Sequence, residues 1–285
     1  MRHGSSHGRR TVAYPGAGAR RWTAVIRTLA ARRLRFLRRL PGAPPGPWAR
    51  LLCALVAVAL VGAAAPPGDV SGLFGAEVRR MPTERRVVAL TFNAAWDAED
   101  VPEVLRTLRQ RKAPATFFLT GQFAERHPRA ARAMAAEHGI GNHSHSHPHF
   151  DGLSRAETRE QVLRADRAIR RATGTRPLPF FRFPFSAITP RGIARVNALG
   201  FADIEFTADT NGYLGTEGGM TVDKAVRRAL DALTPGEIVQ LHVGTSDQGV
   251  RGLDARALPR IIDAVRDRGY RIADLGDLAR GKAAR

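Results

Sequence analysis

Residues 87–119 read VVALTFNAAWDAEDVPEVLRTLRQRKAPATFFL. Val87–Phe92 is a short apolar run of strand length, and Ala115–Leu119 is a second. Between them the pattern turns helical, near residues 99–112. The stretch is therefore one strand–helix–strand unit, and the same alternation continues to the C-terminus. Further strands are expected at Phe180–Arg182, Phe201–Thr207, Glu237–His242 and Tyr270–Ala273. Helices are expected near 127–138, 154–173, 190–199, 221–232 and 254–268. Ser154 with Glu157 predicts a capping box, and Thr189-Pro190 places proline at a first helical position. Alternation of this kind predicts a parallel α/β sheet, open or closed into a barrel.

Upstream of this region the composition changes. The chain of 285 residues carries a net charge of +19, but residues 1–65 hold twelve arginines with no lysine and no acid. That leaves only +7 on the rest, without a basic cluster, which argues against a nucleic-acid partner. Residues 1–50 read as a disordered basic tail on the cytoplasmic side; its Arg27–Arg39 stretch suits either a membrane-surface helix or a solvated charge run. Leu51–Ala65 (LLCALVAVALVGAAA) is an unbroken apolar run, and residues 51–67 suit a signal peptide or an uncleaved signal-anchor. The one-sided positive charge predicts an N-terminus inside and the remainder extracytoplasmic, secreted or held at the membrane by 51–67. Residues 68–85 are then a linker, 86–278 the folded domain and 279–285 a short tail. The single cysteine, Cys53, excludes an intramolecular disulfide and a Cys-based zinc module.

Chemistry concentrates in Gly141–His149 (GNHSHSHPH), where four of the nine histidines fall. His143 and His147 are four apart, and on a helical turn they would share a face suited to one metal ion. His145 and His149 read as bystanders or supporting groups. Asn93, Asp97, Arg182, Asp209 and His242 each follow or close a strand run. In parallel barrels such positions converge on one mouth, and a histidine, an arginine, carboxylates and a metal there suggest metal-assisted hydrolysis.

The motifs together resemble the polysaccharide deacetylase family with its NodB-homology domain. Val88–Phe92, Ala115–Leu119 and Gly141–Pro148 resemble its first segments. Arg182-Phe183-Pro184-Phe185 resembles a motif that usually ends in tyrosine, and Asp209–Tyr213 one that usually ends in tryptophan. Ile238–His242 resembles the last. The resemblance implies a distorted (β/α) barrel holding one divalent metal, usually zinc, and removing N-acetyl, sometimes O-acetyl, groups from glycans. It implies that His143 and His147 bind the metal and that His242 is the acid protonating the leaving amine. Asp209 and Arg182 orient the charged groups, and Phe185 lends a backbone N–H. Phe185, Trp96 and Tyr213 are the substrate-side residues; Trp96 is either a sugar-stacking platform or core.

The first motif departs from the family. Two adjacent acids, a base and a metal ligand, are expected where Asn93 and Ala94 stand. An amide takes no proton from water at neutral pH, and a methyl group binds no metal. Asp97 is the nearest acid that would reach in, as third ligand, ahead of Glu99 and Asp100; either it replaces both missing acids, imperfectly, or the metal lowers the water pKa enough without a dedicated base. The expected activity is metal-dependent deacetylation of a cell-wall or extracellular glycan, peptidoglycan or chitin-like. The alternative is a catalytically impaired, glycan-binding relative.

Overall fold

The computed structural model describes residues 70–280. Strand β1 (Val87–Ala94) runs through its middle, with every residue buried. Successive side chains of a strand point to opposite faces. Val88, Leu90, Phe92 and Ala94 accordingly join the core between sheet and helices, while Val87 and Ala89 join a second core on the other face. A strand covered on both faces reads as a continuous apolar run, which is why Val87–Phe92 was legible.

After β1 come α1 (Val101–Gln110), β2 (Thr116–Leu119), α2 (Gly121–Arg126), α3 (Pro128–Glu137) and β3 (Gly139–Asn142). Then follow α4 (Arg155–Thr173), β4 (Phe180–Phe181), a 3-10 turn (Pro184–Ser186), α5 (Pro190–Asn197), β5 (Ala202–Asp203) and β6 (Ala208–Asp209). A turn (Gly212–Leu214), α6 (Val222–Asp231), β7 (Glu237–His242), α7 (Asp254–Asp267), β8 (Arg271–Ala273) and α8 (Gly276–Ala279) complete the described chain. The capping box of α4 is present: the Ser154 hydroxyl accepts from the Glu157 N–H, and the Glu157 carboxylate accepts from the Ser154 N–H.

The strands pair in parallel in the order β5-β4-β3-β2-β1-β7-β6, with β8 also against β1. β5 and β6 are the opposite edges, yet only residues 204–207 join them. So short a link spans less than about 20 Å, so the sheet curls until its edges approach. They do not pair with each other, and the expected distorted barrel is an open half-barrel.

Three expectations need correction. The single strand expected at Phe201–Thr207 is β5, with β6 beginning just beyond it on the other edge. Strand β3 was not expected, because Gly139-Ile140-Gly141-Asn142 lacks an apolar run; it forms because β2 offers an open ladder beside it. Finally, much of the expected linker belongs to the domain. Val70 and Met81 are buried in the second core, Val78 bridges Ile204, and Arg80 bridges Glu237. The basic tail 1–50 and the export segment 51–67 lie outside the described residues. No helix among the described residues is long and apolar enough to cross a membrane.

Candidate active site

The C-terminal ends of five strands deliver the site. Asn93 is near the end of β1 and pairs in register with His242, the last residue of β7. His143 directly follows β3, Arg182 follows β4, and Asp209 ends β6. Together with Ala95, Trp96, His147, Phe185, Tyr213, Gln240 and the loop after β7, all of these but Arg182 line a cavity of about 270 Å³. Arg182 lies beneath it, fully buried.

His143 and His147 meet here, but not through a helix. The chain after β3 is irregular, and Ser144 and His147 take positive φ values of 68° and 60°. These turns bring the two rings to 4.9 Å, edge to face. The His143 Nδ1 lies 2.8 Å from the Arg182 carbonyl oxygen, so it is the protonated nitrogen and donates to it. Among the described residues its Nε2 is buried without a partner, as is Nδ1 of His147. Burial is the largest cause that pushes His143 well below the ordinary histidine range and His147 to about 4. Both are neutral imidazoles with lone pairs to offer, the state a metal requires.

A third ligand does not join them. Among the described residues, no group of three His, Cys, Asp or Glu side chains is arranged to hold a metal ion. Asp97, the acid expected there, is engaged by other partners. Its carboxylate accepts from the Thr245 N–H at 2.7 Å, the Thr245 hydroxyl and the Glu99 N–H at 3.0 Å. These bonds offset its burial and hold it below the usual carboxylate range. Asp97 ties the β7–α7 loop to the β1 end instead of reaching the histidines. Ala94 is packed in the sheet–helix core, and Ala95 lines the cavity in its place.

A line of amides crosses the floor. Arg182 Nη1 donates to Asn93 Oδ1 at 3.1 Å, Asn93 Nδ2 to Gln240 Oε1 at 3.1 Å, and Gln240 Nε2 to Asp209 Oδ2 at 2.9 Å. The Asn211 N–H donates to the other Asp209 oxygen at 2.8 Å. Arg182 also donates to the Ile204 and Glu205 carbonyls and lies 4.1 Å from the Phe118 ring centroid. Burial lowers its pKa to about 10, against the pull of Glu205, Asp203 and Asp209.

His242 is supported from behind. Buried Asp254, at the start of α7, accepts from the His242 backbone N–H at 2.8 Å and lies 3.7 Å from Nδ1. Tyr213 packs on the ring at 4.7 Å between centroids. Gly212 is required by this contact, since a Cβ there would stand 2.1 Å from Asp254 Oδ1. Phe185 is 50% exposed at φ 56°, stacked on His149 at 4.1 Å and edge-on to His147 at 4.5 Å. Trp96 lies edge-on to His147 at 5.5 Å on the cavity wall and is half-buried. His145 instead pairs with Glu125 at 3.2 Å.

Three contributors lie outside the site residues that the sequence motifs point to: Gln240, Asp254 and Asp247. The signal for Gln240 was an amide inside an apolar strand run, and for Asp254 an acid opening a helix. Asp247 carried no local signal.

The comparisons with known proteins agree with this geometry. The polysaccharide deacetylase family signature matches residues 80–204. A chitooligosaccharide deacetylase of Bradyrhizobium sp. (strain ANU 289) is 33% identical over 220 residues, covering 74% of this chain and 93% of the relative. The chain belongs to the polysaccharide deacetylase family. It is thus a deacetylase-type hydrolase by descent. The structure of a peptidoglycan N-acetylglucosamine deacetylase matches with a TM-score of 0.65 at 28% identity, covering 73% of this deacetylase chain and 94% of the other. A family 4 carbohydrate esterase pseudoenzyme from Bacillus anthracis also matches, with a TM-score of 0.65 at 27% identity, covering 74% of this chain and 71% of that one.

Proposed function

We propose that this deacetylase removes N-acetyl groups from a cell-wall or extracellular glycan, with a divalent metal, most simply zinc, held by His143 and His147. The observation that carries the reading is the pair of neutral imidazoles with unpartnered buried nitrogens, set in one cavity with His242. The family relatives named for chitooligosaccharide and peptidoglycan substrates support an N-acetylglucosamine-containing glycan. O-acetyl groups belong to the same chemistry but to neither relative's name. The one-sided charge of residues 1–65 supports an extracytoplasmic place for the domain, with the N-terminus inside and 51–67 as leader or anchor.

A bound cation would polarise the acetamide carbonyl and lower the pKa of water beside it. The chain's residues divide the remaining work. His242 protonates the amine as the C–N bond breaks, and Asp254 fixes the backbone that carries its ring. Arg182, Asn93, Gln240 and Asp209 form one bonded line that holds the floor rigid. Phe185, at its left-handed φ, offers its backbone N–H to the developing oxyanion. Phe185, Trp96 and Tyr213 present ring faces and edges to the sugar.

The second reading, a glycan-binding chain with impaired catalysis, is favoured by one feature. Asn93, at the place of the family base, has both amide atoms engaged. Acetate release from chitooligosaccharide and from peptidoglycan, with zinc and with chelator, separates the two. Zinc-dependent release that vanishes in His143→Ala supports the deacetylase. A folded protein that binds the glycan and releases no acetate with any divalent metal selects the binding reading.

A further inference from the structure

The β7–α7 loop is more constrained than its exposure suggests. Asp97 accepts from the backbone and hydroxyl of Thr245 at one end, and Asp100 pairs with Arg251 at 3.2 Å at the other. Thr245 and Arg251 also bridge each other. Between them the chain makes a tight turn: Ser246 N–H to the Val250 carbonyl at 2.8 Å, Gly249 N–H to the Ser246 carbonyl at 3.0 Å, and the Ser246 hydroxyl accepting from Gln248 and Val250. This construction presents Asp247 at the cavity wall.

Two carboxylate residues line that cavity, Asp209 and Asp247. Both oxygens of Asp209 are occupied, by Gln240 and Asn211. Among the described residues no hydrogen bond engages the Asp247 carboxylate, and it shares the cavity lining with His147 and Tyr213, whose pKa values its charge raises.

We infer that Asp247 does the work of the absent first-motif base, taking the proton from the attacking water, and that Asp97 is a positioning residue that holds Asp247's loop in place. The inference rests on the deacetylase reading above. Water gives one proton to Asp247 as its oxygen bonds the acetamide carbon. The C–N bond then breaks, its electron pair stays on nitrogen, and that nitrogen takes a proton from His242. Acetic acid and the free amine leave, the acid's proton passing to the amine or to solvent, and the proton on Asp247 returns to His242 through solvent.

The test uses the full chain with zinc, an N-acetylglucosamine oligomer as substrate, and calorimetric titration of zinc as a second readout. Asp247→Asn is expected to lower kcat by about 10²–10⁴-fold with zinc affinity unchanged. Asp247→Glu, which keeps the carboxylate, is expected to retain more of the rate than Asp247→Asn. Asp247 is exposed and unbonded, so neither substitution threatens folding. An Asp247→Asn protein with wild-type kcat overturns the inference and leaves the deacetylase reading standing. Loss of zinc affinity in step with activity also overturns it, by making Asp247 a ligand. A wild-type chain that releases no acetate overturns both together.

Discussion

Arg182 holds its charge in full burial with no carboxylate among the described residues bonded to its guanidinium. Two carbonyls, one amide oxygen and an aromatic face replace the water it lost. That arrangement suits a flat, forked cation and no other residue. Arg182→Lys would keep the charge and lose the fork, leaving acceptors unpaired beneath the cavity. Its expected cost is about 2–4 kcal/mol in urea unfolding, with acetate release falling in parallel. The same amides explain why Asn93 is more than a missing acid. A carboxylate at that place would accept from Arg182, but it has no proton to donate to Gln240 Oε1. Residue by residue, the order of His143, His147, Arg182, Asp209 and His242 was legible in the sequence. Asp97 was not placed correctly, because its three hydrogen-bond donors come from the chain next to it and from a loop distant in sequence.

Elements differ in how far local pattern determines them. α4 begins where its capping box places it, since Ser154 and Glu157 satisfy each other's backbone within one turn. β3 exists through its pairing with β2 and β4, and the run 201–209 divides only because its two halves lie on opposite edges. The β7–α7 loop is the element on which the inference about Asp247 depends. Gly244 sits there at φ 79°, where a Cβ would stand 2.6 Å from both the Asp97 carbonyl oxygen and a carboxylate oxygen. Gly244→Ala would therefore push Asp97 and Thr245 apart. Expected outcomes are at least a tenfold loss of kcat, a zinc affinity like that of the wild type, and faster proteolytic nicking within 243–251. Kinetics, calorimetry and limited proteolysis check the three.

Across the whole molecule, the far end of the barrel carries a pH dependence of its own. Glu237 opens β7 in full burial, with Oε2 accepting from the Thr234 N–H and Oε1 without a partner among the described residues. Burial raises its pKa from 4.5 to about 7. A carboxyl that binds its proton more tightly when folded contributes stability in full below its unfolded pKa. That contribution is lost as pH rises through about 7. Glu237→Gln, which stays neutral, is expected to flatten the fall of the melting temperature between pH 5 and pH 8. Melting curves of wild type and variant across that range measure the difference, at about 2–4 °C per kcal/mol for a domain of this size.

The sequence by itself determined the kinds of element, the parallel α/β class and the family motifs. These follow from apolar period, caps and residue order, all set by near neighbours along the chain. Only the tertiary structure decided that the barrel stays open, that residues 70–81 are built into it, and which acid reaches the cavity. Those outcomes rest on contacts between distant segments: Val78 with Ile204, Arg80 with Glu237, and Asp97 with Thr245. A carboxylate's direction is set by the donors that reach it. For Asp97 the Thr245 donors come from a loop about 150 residues away, whose position the local pattern around Asp97 does not encode.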